Sequence, residues 1–140
     1  MSLPIEQVRR DFWAHFAQSD PEVNARPYQD SNTWHPVTPD GSVILSFGIQ
    51  QDGSSVFLRG RLYADQDTAG PVLRPHAAAL ARRLLVAFEG EGDLGQGRYL
   101  RKRTRDAFTL KRNWPEIARW FTACRLRYAN VLADLIEVSA

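Results

Sequence analysis

Two runs rich in β-branched and aromatic residues, Val43–Gln50 (VILSFGIQ) and Ser55–Tyr63 (SVFLRGRLY), are separated only by Gln-Asp-Gly-Ser, and this pairing constrains the chain more than any other feature. With Asp52-Gly53 as the tight turn, the two runs predict a β-hairpin. Strand side chains alternate between faces, so Phe57, Arg59, Arg61 and Tyr63 share one face while Val56, Leu58, Gly60 and Leu62 share the other. The second set is expected to face the core, which puts Arg59 and Arg61 on the open face.

Helical patterns flank the hairpin. Ile5, Val8, Phe12 and Phe16 fall at helical spacing and predict a helix from Ile5 to about Gln18, stopped by Asp20-Pro21. Trp13 lies about 100° round that helix from Phe12 and widens its apolar stripe or meets a second partner. From Ser19 to Gly41 the four prolines Pro21, Pro27, Pro36 and Pro39 and many short polar residues predict a connection, pinned to the body by Tyr28 and Trp34. Ala77, Leu80, Leu84 and Phe88 mark a second helix from about Pro75 to Glu89, ended by Gly90. Arg98–Leu110 alternates as one or two short strands, with Tyr99, Arg101, Arg103 and Arg105 on one side and Leu100, Lys102 and Thr104 on the other. A capping box of Asn113 and Glu116 around Pro115 then opens a long helix from about Trp114 to Glu137. The order α, β, β, α, β (or a strand pair), α predicts a single α+β domain over residues 1–140, with helices on one face of a mainly antiparallel sheet.

Such a 140-residue chain buries roughly two thirds of its unfolded surface and needs no staple. The lone Cys124 excludes a disulfide framework, and its place on the apolar stripe between Phe121 and Tyr128 marks it as a core residue rather than a nucleophile. No apolar run reaches the roughly 18 residues of a membrane span, and acids with Pro4 interrupt the N-terminus where a signal peptide needs an apolar stretch. The expectation is a cytoplasmic protein with no membrane contact; its oligomeric state is open, a homodimer included.

Charge is unevenly placed. The net charge of +2 combines residues 1–70, with five basic and nine acidic side chains, and residues 71–140, with thirteen basic and seven acidic. Seven cations, Arg98, Arg101, Lys102, Arg103, Arg105, Lys111 and Arg112, fall within fifteen residues, with Tyr99 and Phe108 interleaved and only Asp106 opposing them. Cations along a strand can follow a phosphate backbone and adjacent aromatics can stack on bases. An acidic protein partner, or a solvated strand guarding a sheet edge, would use the same residues.

Other motifs carry less. Gly90, Gly92 and Gly95 satisfy G-x-G-x-x-G, but the run follows a helix instead of a strand, and Glu91 and Asp93 would repel phosphate. His15, His35 and His76 stand on three elements without metal-ligand spacing, so no metal or cofactor is expected; His35 beside Trp34 is the one in a setting that suits a role. Neither Lys102 nor Lys111 has an acid two residues before it, as a restriction-type nuclease centre would need. No catalytic residues are therefore assigned, and an enzyme would require His35 and two or more acids gathered in a pocket.

Phe12-Trp13 in the first helix, Trp34 before the hairpin, the apolar second helix, and Trp114, Trp120, Arg127-Tyr128 and Val131 in the last helix together resemble a bacterial domain-of-unknown-function family. That family is often placed at the C-terminal end of predicted restriction-type nucleases, and the similarity spans about residues 8–136. The resemblance implies an α+β fold and a setting among nuclease or defence systems, and it carries no catalytic residues; this chain departs from the common arrangement in lacking the nuclease portion. The leading expectation is a non-enzymatic domain that binds nucleic acid, or docks with a nucleic-acid-processing partner, through Arg98, Tyr99, Arg101, Lys102, Arg103, Arg105, Lys111 and Arg112 with help from Arg59 and Arg61. The rival is a protein-interaction module of immunity or assembly type, anchored by Trp13, Tyr28 and Trp34 as exposed aromatics. An enzyme of another kind is the third reading.

Overall fold

The computed structural model describes residues 4–23, 31–61, 66–88 and 97–137. Helix α1 (Ile5–Ser19) is followed by strands β1 (Asn32–Pro36), β2 (Val43–Gln50) and β3 (Gly53–Gly60), a short helix α2 (Gly70–Leu73), a 3-10 turn at Arg74–His76 and helix α3 (Ala77–Leu84). Strand β4 (Arg98–Thr104) and helix α4 (Trp114–Leu132), which ends in a π turn at Ala133–Glu137, complete the chain. All neighbours in the sheet are antiparallel, in the order β1-β2-β3-β4. The α+β arrangement with an antiparallel sheet is thus as the sequence predicts.

The hairpin forms where expected. Gln50 pairs with Gly53, so Gln51 and Asp52 are the two loop residues and β3 begins at Gly53 itself. Gly53 adopts φ +155°, and a Cβ there would collide with the carbonyl oxygen of Thr104 on β4, which makes glycine obligatory. The stretch before the hairpin differs from expectation. Asn32–Pro36 is a strand, paired to the outer edge of β2 from Asn32↔Gly48 to Pro36↔Ile44. Its proline occupies the last position, where a missing N–H costs no ladder bond.

Val43, Leu45, Phe47 and Ile49 of β2 and Val56 and Leu58 of β3 face the helices and join one buried cluster with α1, α3 and α4. Its centre is aromatic: Phe121 of α4 lies 5.2–6.1 Å, centroid to centroid, from Phe12, Trp13, Phe16 and Phe47. Asp20, just after α1, is fixed to α4 by a bidentate ion pair with Arg125 (2.7 and 3.0 Å) and by the Thr122 hydroxyl (3.2 Å).

The second helix departs from its predicted span. It begins at Gly70 and stops at Leu84, because Leu85 turns left-handed at φ +59°. The predicted C-terminal glycine, Gly90, lies outside the described residues. The predicted capping box of α4 does not form: the Asn113 amide donates to the carbonyl of Ala107 (3.1 Å), and Glu116 pairs with Arg119.

Candidate functional site

The helices cover one face of the sheet, and the side chains on the other face form a lattice that the strand register fixes. Residues opposite each other in antiparallel strands share a face. One row therefore runs Asn32–Gly48–Ser55–Arg103, the next Trp34–Ser46–Phe57, and the third Pro36–Ile44–Arg59–Arg98.

At β4 the register slips, because Leu58 pairs with Tyr99 while Val56 pairs with Lys102, so that both Leu100 and Arg101 stand opposite Phe57. This is a β-bulge, and Leu100 takes it up at φ +56°. A leucine in the left-handed region is held at a cost of about 1–2 kcal/mol, which here is offset by local bonds: the Leu100 N–H donates to Phe88 O (2.9 Å), the Tyr128 hydroxyl donates to Leu100 O (2.6 Å), and the Leu100 side chain is fully buried. Tyr99 and Leu100 thus both point to the core side. Arg98 and Arg101 then fall on the same open face, where simple alternation along β4 would have separated them.

Together these residues enclose a concavity of about 290 Å³ lined by Asn32, Trp34, Ser46, Gln50, Ser55, Phe57, Arg59, Arg98 and Arg101 among others. Among the described residues, no carboxylate lines it. Ser46 and Ser55 on its floor are 4% and 1% exposed. Trp34 on one wall is 37% exposed. The Arg98 guanidinium lies 5.2 Å from the Phe57 ring centroid, which buries the ring and holds the cation over the floor. Gly48 belongs to this floor: a Cβ there would stand 2.9 Å from Asn32 Oδ1 and 3.3 Å from Ser55 Oγ.

The expected basic segment is accordingly divided. Arg98, Arg101 and Arg103 share the open face with Arg59. Arg103 also reaches Asp52 at 3.3 Å, and Arg105 lies with it in a shallow depression at the hairpin end. Lys102 points the other way, its Nζ 5.9 Å from the Tyr128 ring centroid, because the bulge returns it to the helix side. Lys111 and Arg112 belong to the 3-10 turn before α4, where Lys111 lies 5.6 Å from the Trp114 ring centroid. Arg61 falls beyond the end of β3 and donates to Asp40 O (3.3 Å).

Two aromatic assignments are corrected. Tyr99 is buried; its hydroxyl donates to Asp67, and Arg74 donates to it at 3.2 Å, so it ties β4 to the segment before α2 and offers no ring to a base. Trp13 is 1% exposed, stacked on Phe121, so it is a core residue instead of a surface anchor. Tyr28 lies outside the described residues.

His35 sits on the helix side of β1, half-buried, and burial together with Arg125 lowers its pKa while Asp20 and Glu22 oppose the shift. Among the described residues no group of three His, Cys, Asp or Glu side chains is placed to hold a metal. Burial pushes the Cys124 thiol up to about 11, the opposite of what a nucleophile needs. A second concavity of about 550 Å³ lies between α1 and α4, lined by His15, Pro115, Ala118, Ala123 and the half-exposed Leu126 among others.

Asn32, Ser46, Gln50 and Ser55 are the site residues that the sequence reading misses. Ser46, Gly48 and Gln50 alternate with Val43, Leu45, Phe47 and Ile49, and that alternation of small or polar with apolar residues is the signal that marks the open face of β2.

No protein-family model, curated protein or solved structure matches this chain at a significant level.

Proposed function

We propose that this domain is a non-enzymatic binder of single-stranded nucleic acid that holds the strand against the open face of its sheet. The observation that carries this reading is the convergence of Arg59, Arg98, Arg101 and Arg103 on one face with Trp34 beside them and, among the described residues, no carboxylate lining the concavity. Guanidinium groups suit phosphate oxygens and stack on planar rings. An exposed indole in a basic groove gives bases a platform that tolerates any sequence. A concave face favours a single strand over a duplex, whose base edges are read by elements that protrude into a groove. In the accessory role suggested by the resemblance to nuclease-associated domains, this face would retain the strand while a separate catalytic chain cuts it.

The test is a fluorescence anisotropy titration of a labelled single-stranded oligonucleotide across a range of salt. Changing Arg59, Arg98 and Arg101 together to Ala should flatten the slope of log K against log salt by about 2, at roughly 0.7 for each phosphate contact on a single strand. Lys102→Ala and Lys111→Ala, whose cations lie over Tyr128 and Trp114, should leave the slope as it is. An unchanged slope in the triple variant overturns the reading.

A second reading, a protein-docking module, is favoured by the groove between α1 and α4 with Leu126 half-exposed at its side. Leu126→Asp should disturb such a contact and spare oligonucleotide binding.

A further inference from the structure

We infer that the concavity on the sheet is an end-recognition pocket that takes the terminal phosphomonoester of a nucleic-acid strand together with the nucleotide that carries it. The inference rests on the single-strand reading above and adds which part of the strand the pocket holds.

Three features point to an end and not to a continuous track. The first is size: about 290 Å³ lies at the lower limit of the roughly 300–1,000 Å³ typical of small-molecule pockets, enough for one nucleotide and too little for a run of them. The second is charge. Arg59, Arg98 and Arg101 line this one concavity, and among the described residues no acid lines it with them. A phosphomonoester carries about −1.5 to −2 at pH 7 because its second pKa is near 6, whereas each internal phosphodiester carries a single charge, so three convergent guanidiniums discriminate in favour of the end.

The third feature is the floor. Ser46 and Ser55 are 4% and 1% exposed, both line the concavity, and neither hydroxyl makes a hydrogen bond within the described residues. The two stand on adjacent strands in the register Ser46↔Phe57 and Gly48↔Ser55, so both hydroxyls belong to one concavity. They can donate to the oxygens of a phosphate lowered between the arginines. The absent side chain of Gly48 lets Asn32, Gln50 and Ser55 close together on the floor, since any Cβ there would crowd all three. Trp34, across the row from Ser46, is placed to stack on the terminal base.

The experiment compares one fluorescent deoxythymidine decamer in three forms, with a 5′-phosphate, with a 3′-phosphate and with neither. One phosphorylated form should bind about tenfold tighter than the unphosphorylated one, the scale of a few added charge-assisted hydrogen bonds, and that form identifies the end. The gain should shrink as the pH falls through about 6, where the monoester loses its second charge. The Ser46→Ala, Ser55→Ala double variant should lose the gain, read as the ratio of its own affinities for the phosphorylated and unphosphorylated decamers. On the unaltered protein, thymidine monophosphate should displace the phosphorylated decamer where thymidine does not. Equal affinity for all three forms overturns this inference and leaves the single-strand reading standing. Failure of every form to bind overturns both, and a gain that survives the serine changes overturns the assignment to this pocket.

Discussion

At the scale of single residues, the open face depends on contacts made on the opposite side of the sheet. Leu100 keeps its left-handed backbone because the Tyr128 hydroxyl and the Phe88 carbonyl satisfy its polar groups. Tyr128 is itself deep in the core, and burial raises its pKa, so the hydroxyl stays a donor at any ordinary pH. Tyr128→Phe removes that donor and leaves a carbonyl unpaired in apolar surroundings, at a cost of about 1–3 kcal/mol. Urea unfolding should show this as a lower midpoint at unchanged slope. A loss of oligonucleotide affinity in the folded variant would add that the bulge has relaxed and that Arg98 and Arg101 no longer share the face. The two tryptophans that the sequence offered together as anchors separate at this scale as well. Trp13 and Trp34 each sit in the middle of their element, and nothing in composition distinguishes them; the stack of Trp13 on Phe121 does.

Among the elements, the junction between α1 and α4 is fixed by a polar contact. Asp20 is almost fully buried and its carboxylate receives two bonds from Arg125 and one from Thr122. Removing one partner of such a pair strands the other charge, so Asp20→Ala should cost about 3–5 kcal/mol and appear as a marked drop in the thermal midpoint. Asp20→Asn, which keeps the shape and some of the hydrogen bonds, should cost less. From sequence, Asp20 was legible only as a helix stop before Pro21, because its partner lies 105 positions away. The elements that were legible are those whose signal is local: the hairpin with its Asp-Gly turn, the amphipathic stripe of α1 and the long stripe of α4. Strand β1 was not, since NTWHP is short, ends in proline and sits among other prolines, and it is a strand by virtue of the β2 edge beside it. The early end of α3 was equally hidden, because a left-handed Leu85 replaces the glycine that usually announces a helix end. The candidate site was legible in its charge and illegible in its geometry. The density of arginines after Gly97 was plain, whereas their division between two faces was set by a bulge for which leucine gives no signal.

For the whole molecule, the sheet separates two kinds of work. The helix side holds the aromatic core, and the open side holds the arginines, the serine floor and Trp34. Changes on the two sides should therefore have separable effects. Trp13→Ala should lower stability by about 3–5 kcal/mol, as for other large aromatic truncations in cores, while the fraction that remains folded binds oligonucleotide normally. Trp34→Ala should leave the unfolding curve nearly in place and weaken binding by about 1–3 kcal/mol, the worth of one stacked base. Paired unfolding and anisotropy measurements on the two variants check this, and a loss of both properties in Trp34→Ala would show that the two sides are not independent. The bulge on β4 gives this separation an unexpected form. On either side of Leu100 the strand alternates regularly, with Arg98 outward and Tyr99 inward, then Arg101 outward and Lys102 inward. Leu100 behaves as one added letter that shifts the reading frame of the strand, so the assignment of cations to solvent or core is governed by the length of β4 as much as by its composition.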